Sequence, residues 1–201
     1  MVRRMGPKTT EVAPMEYQEE DYSDLRGLQE LPDALIEAHL KLYSGYVANL
    51  NKLLQQIAGS DASSPEWAEM QRRIGFEMNG MRLHELYFEN LTPKGHGASR
   101  DMGQVLSDTW PSATAWEKEF RAIGALRGVG WAILYRDPLT RRLSNHWISL
   151  HQDGHPVGFT PILVMDVWEH AFTGMDRAHY IDAFFANVDW EPVEARLKSG
   201  A

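Results

Sequence analysis

Cysteine is absent from the 201 residues of this chain. That excludes disulfides, thiolate metal sites and thiol nucleophiles, and it suits a reducing compartment. Any metal held here must take its ligands from His, Asp and Glu. Long apolar runs are missing too: no stretch approaches the ~20 consecutive apolar residues of a spanning helix, so a membrane is not expected as a partner. Arg3 and Arg4 stand near the start, but Gly6, Pro7, Lys8 and Thr9-Thr10-Glu11 interrupt any apolar segment behind them. This is unlike a secretory signal, and the expected location is the cytoplasm. Positive charge is also in deficit, with 20 Lys plus Arg against 28 Asp plus Glu and a formal net charge of −8. That sign argues against nucleic acid as a partner while permitting a local basic funnel for a small anion.

What is present is enough apolar material, 43% of residues, to bury a sizeable core without staples. Residues 1–24 mix Pro7, Pro14 and Glu19-Glu20-Asp21 with scattered aromatics, the pattern of a poorly ordered or surface-wrapping arm. After Pro32-Asp33, Leu35, His39, Leu42, Tyr43, Tyr46, Val47, Leu50 and Leu54 recur at helical spacing. Gly59 to Ser64 break that pattern, and Ser64-Pro65 opens a second helix through Trp67, Met70, Ile74, Met81, His84, Tyr87, Phe88 and Leu91. Two long helices joined by a short loop predict an antiparallel hairpin over residues 25–93. Thr92 to Gly97 reads as a linker to a mixed domain over 98–201, with helices at 101–108 and 112–126. Strands are predicted at 130–135, 145–150 and 160–166, and helical spacing returns from about Arg177 and again from about Glu191. The fold class is α+β: an N-terminal antiparallel helical hairpin and a C-terminal α/β lobe with a three-stranded antiparallel sheet.

The run Thr160-Pro161-Ile162-Leu163-Val164-Met165-Asp166-Val167-Trp168-Glu169-His170 drives an apolar strand into ionisable side chains. Burying Asp166 unpaired would cost several kcal/mol, so it needs a metal, an arginine or a set of hydrogen-bond donors. His39 on the first helix and His84 on the second each also read as core histidines. Gly80, one turn before His84, costs ~1 kcal/mol in a helix interior, which close helix packing or a functional site explains equally well. Together His39, His84, Asp166 and His170 form a three-histidine, one-carboxylate set suited to iron, manganese or zinc. Arg82 and Arg177 are candidates to focus an anion, or solvated surface charges. His96, His146, His155 and His179 read as exposed or hydrogen-bonded structural groups.

Several segments carry a resemblance in order along most of residues 31–197. They are His39 with Tyr46-Val47-Ala48-Asn49-Leu50-Asn51, Asn79 through Tyr87-Phe88-Glu89-Asn90-Leu91-Thr92-Pro93, Gly128-Val129-Gly130-Trp131, Asp166-Val167-Trp168-Glu169-His170-Ala171 and Val188-Asp189-Trp190-Glu191-Pro192-Val193. The chain resembles the iron/manganese superoxide dismutases. The resemblance implies one iron or manganese ion per chain held by His39, His84, Asp166 and His170, with solvent completing the coordination. It implies superoxide as substrate, a homodimer, Tyr46 at the substrate entrance, and Trp131 and Trp168 as walls. Glu169 matches a glutamate that reaches across the dimer to orient the other subunit's histidine ligand. Gly80 occupies one family position for the donor to metal-bound solvent, so that donor is expected after the second strand: His151 first, with Gln152 as competitor.

The departures concern the entrance. The family helix usually has one more residue between its first ligand and the entrance tyrosine, and a further histidine within that interval. Here Leu42 and Tyr43 stand there, and Thr173 to His179 is shorter than the family stretch. This implies a helix without a bulge, a rebuilt entrance and a changed dimer contact. The rival readings are a superoxide-dismutase-like protein kept for interaction or assembly, and a metal enzyme of another redox reaction.

Overall fold

A computed structural model describes residues 16–95 and 97–199. Helix α1 spans Asp33–Ala58 and α2 spans Pro65–Glu89. Pro32 precedes α1 and its carbonyl accepts from the Leu35 and Ile36 amides. Ser64 caps α2, its hydroxyl accepting from Trp67 N at 3.1 Å, with Pro65 supplying a preset first turn. The buried stripe of α1 includes Leu35, His39, Tyr43, Val47 and Leu50, and that of α2 includes Gly80, Met81, His84, Tyr87 and Phe88. Laying stripe on stripe turns His39 and His84 toward each other, ring centroids 5.0 Å apart.

Residues 16–31 lie against this hairpin. Tyr17 exchanges two bonds with the Asn51 amide, at 2.9 and 2.8 Å, and the Glu20 amide donates to the Tyr43 hydroxyl at 2.9 Å. Residues 1–15 of the expected arm lie outside the described residues.

The second lobe runs α3 (Arg100–Thr109), α4 (Ala113–Gly124), β1 (Gly130–Arg136), β2 (Leu143–Ser149), β3 (Thr160–Asp166), a 3-10 turn (Glu169–Phe172), α5 (Arg177–Ala186) and α6 (Trp190–Ser199). The strands pair antiparallel in the order β2-β1-β3. Central β1 is buried along its whole length, and its register sets Trp131 opposite Asp166. This is the α+β architecture read from the sequence.

The lobes are riveted at the end of α2. Asn90, fully buried, donates to the Val164 carbonyl at 2.7 Å and accepts from the Arg196 guanidinium at 2.8 Å. Leu91 bridges to Val188 beside it. β3 is thereby fixed against α2, and the end of β3 is where Asp166 stands. Among the described residues no helix is long and apolar enough to cross a membrane.

Candidate metal centre

His39, His84, Asp166 and His170 converge, each offering one ligand atom, all within 4.8 Å of one another. Asp166 ends β3 with both oxygens assigned. Oδ1 accepts from the Trp168 amide at 2.8 Å, which turns Oδ2 toward the imidazoles. Nε2 of His39 and of His170 each lie 3.1 Å from Oδ2, and Nε2 of His84 lies 3.7 Å away. His84 donates from Nδ1 to the Gly80 carbonyl at 2.5 Å, so its Nε2 carries a lone pair, and that atom is buried with no hydrogen-bond partner.

A buried acceptor facing other acceptors is costly unless a cation joins them. Four donor atoms within 4.8 Å of one another are close enough to share one ion. Burial pushes the His84 imidazole down to about 3 and lowers His39 as well, keeping both neutral as ligands must be. Burial alone would raise Asp166, but His170 and His39 beside it hold the carboxyl well below its ordinary value. For His170 burial opposes the charge, and the Asp166 carboxylate outweighs it and raises the imidazole. The donor set, three nitrogens and one hard oxygen, fits iron or manganese.

The family model for iron/manganese superoxide dismutases, C-terminal domain, matches residues 98–196. Over 191 residues the chain is 31% identical to the superoxide dismutase [Fe] of Aquifex pyrophilus, covering 89% of each protein. It is 34% identical to the superoxide dismutase [Fe] of Cupriavidus metallidurans over 179 residues, covering 83% of this chain and 88% of that one. It is 32% identical to superoxide dismutase [Mn] 2 of Haloferax volcanii over 165 residues, covering 78% and 81%. The chain belongs to the iron/manganese superoxide dismutase family.

Within this dismutase fold, Tyr46 and His151 flank the cluster. Leu150, just after β2, takes a left-handed φ of 53°, and a Ser149–Asp153 bridge closes the turn that sends His151 inward. His151 is fully buried while its neighbour Gln152 is exposed; the structure does not bring Gln152 to the cluster. The Trp131 indole, which can only donate, bonds His151 Nδ1 at 3.1 Å. Nε2 therefore carries the proton of the neutral ring and donates to the Tyr46 hydroxyl oxygen at 2.7 Å. Burial pushes the His151 imidazole down to about 4 and the Tyr46 phenol up to about 12. Trp131 stands edge-on to His84, and Trp168 stacks on both His151 and His170.

Gly80 has a specific occupant over it: a Cβ there would meet Cδ1 of Tyr46 at 2.5 Å. Helix α1 runs unbroken from Asp33 to Ala58, through His39 and Tyr46. Tyr43 turns away from the cluster and donates to Glu85 at 3.1 Å, whereas Leu42, 42% exposed, lines a cavity of about 330 Å³ with His39, His170 and Thr173. Glu169 is exposed.

Arg82 is committed to Glu85 at 2.6 Å, and Arg177 ties the carbonyls of Leu126, Gly128 and Val167. His155 donates to the His151 carbonyl at 2.8 Å and accepts from Tyr135, His146 bonds Ser144, and His179 meets Glu30. His96 lies outside the described residues. One contact escaped the sequence reading: Phe76, whose ring centroid is 4.5 Å from that of His151. Its spacing was the available signal, since Phe76, Gly80 and His84 share one face of α2 at successive turns.

Proposed function

We propose that the chain dismutates superoxide at one iron or manganese ion held by His39, His84, Asp166 and His170. The supporting observation is the unpartnered, buried Nε2 of His84, aimed with two further imidazoles at Oδ2 of Asp166. Bound there, iron or manganese supplies a one-electron couple through which one superoxide is oxidised to dioxygen and a second, with two protons, is reduced to hydrogen peroxide.

The chain's own residues handle charge and protons. With a metal bound, Asp166 would contribute one negative charge beside imidazoles that serve as neutral ligands, which would fix the charge of the pocket. Tyr46 stays protonated at neutral pH because burial disfavours its phenolate. Its oxygen is occupied by the His151 Nε2–H, so the phenolic proton faces away from that bond and is available to substrate. Trp131 fixes the tautomer of His151 and hence the direction of this chain of bonds. Trp131 and Trp168 wall the imidazoles of His84, His151 and His170.

The same reading extends to a cytoplasmic homodimer. Glu169 is exposed, and among the described residues Nδ1 of His170 finds no hydrogen-bond partner within the chain. A second copy bringing Glu169 to that nitrogen would orient the imidazole.

Metal analysis joined to superoxide consumption, on protein reconstituted separately with iron and with manganese, tests the proposal. The wild type should bind about one ion per chain and consume superoxide with at least one metal, and His84→Ala should lose both. Stoichiometric metal retained by His84→Ala, or a metal-filled wild type inert toward superoxide, would overturn it.

A further inference from the structure

We infer that Arg73, held by Glu77 against the face of Phe76, is the positioning residue that concentrates the anionic substrate at the Tyr46–His151 edge of the site. This rests on the superoxide reading above. A protein of net charge −8 repels a small anion at long range, so a local positive pole is needed where the anion enters. Arg82 and Arg177 do not supply it, because Arg82 lies with Glu85 over the ring of Tyr17 and Arg177 caps backbone carbonyls.

Arg73 differs in its neighbours. Its guanidinium carbon lies 3.9 Å from the Phe76 ring centroid, and that ring meets His151 at 4.5 Å and Tyr46 at 6.1 Å. The two steps through Phe76 put the charge within about one screening length, ~8 Å at physiological salt, of His151. Its ion pair with Glu77, like that of Arg82 with Glu85, is polarised outward, with the Arg73 side chain 54% exposed and that of Glu77 only 6%. An approaching anion meets the positive end first.

The guanidinium is also held still. Glu77 Oε1 accepts from it at 2.7 Å across one helical turn while the aromatic face supports it from the side. Glu77 Oε2 is buried without a partner, so the carboxylate makes its bonds to Arg73 through Oε1. A fixed charge focuses an anion better than a flexible one because no ordering is required on arrival.

The test uses full-length, metal-loaded protein and three variants: Arg73→Gln, Arg73→Lys, and Arg73→Met combined with Glu77→Gln. The double variant removes both charges, so no carboxylate is left buried and unpaired if Arg73→Gln folds poorly. kcat/KM measured against ionic strength should fall about two- to five-fold at low salt in the Gln and double variants. It should converge on wild type near ~0.5 M salt. kcat and metal content should hold, and Arg73→Lys should keep most of the wild-type value.

Azide, a small anion of the same charge, provides a readout without turnover: by calorimetry its affinity should fall about two-fold in the double variant. A double variant with wild-type kcat/KM, salt slope and azide affinity overturns the role of Arg73 and leaves the dismutase reading intact. A wild type that consumes no superoxide overturns that reading, while the azide titration still decides Arg73, equal affinity in wild type and variant refuting it.

Discussion

At the scale of the residue, Gly80 is missing a side chain because the ring of Tyr46 fills the place where one would go. Alanine would ordinarily favour this helix by ~1 kcal/mol, but its methyl would stand 2.5 Å from Cδ1 of Tyr46. Something must move, and the ring is the softer partner. Gly80→Ala should therefore keep its metal, because His84 bonds the backbone carbonyl of residue 80 and not a side chain. Tyr46 should tilt away from His151, and kcat should fall on the order of tenfold, since small misplacements of a reacting group are costly. Tyr46→Phe should behave alike, full in metal and altered in turnover. Unchanged kcat in Gly80→Ala would mean that the ring has room to spare.

At the scale of elements, the alignment of α2 with β3 depends on Asn90, whose amide serves the Val164 carbonyl and Arg196 at once. Asn90→Leu is close in volume and leaves both groups without this partner. A loss of about 2–3 kcal/mol follows, read as a melting temperature lower by ~5–10 °C in a chain of this size. A change under a degree would show that Arg196 re-pairs at no cost. The helices themselves were legible in the sequence because Pro32-Asp33 and Ser64-Pro65 are strong start signals and the apolar spacing is regular. Strand edges were less so: β2 begins at Leu143, ahead of the expected 145, because Leu143 and Ser144 are recruited by pairing with Arg136 and Tyr135. The four donors could be grouped from residue type alone, but only the resemblance gave them a shared role, since a histidine on one helix reveals nothing of what a distant strand brings to it. His151 and Gln152 could not be separated by composition. The left-handed turn at Leu150 separates them, and its cause is the closure between Ser149 and Asp153. Arg73 and Phe76 lay unread because their importance comes from a loop on the other lobe.

At the scale of the molecule, the metal should contribute directly to stability. An ion that binds only the folded chain stabilises it by about 4 kcal/mol when present at ~1,000 times its dissociation constant. Removing it by chelation should lower the melting temperature by ~10 °C, and readdition of iron or manganese should restore it. Scanning calorimetry of the stripped and refilled protein measures this, and identical melting would mean that the four donors are already satisfied without an ion.

The donors are also divided between the lobes. His39 and Asp166 are 127 residues apart, and the α1–α2 hairpin owns two donors while the end of the sheet owns the other two. A polypeptide released from the ribosome before its second lobe is made would carry only two of the four donors. Retention of the ion is therefore a certificate of finished synthesis, issued only to molecules whose two halves have met.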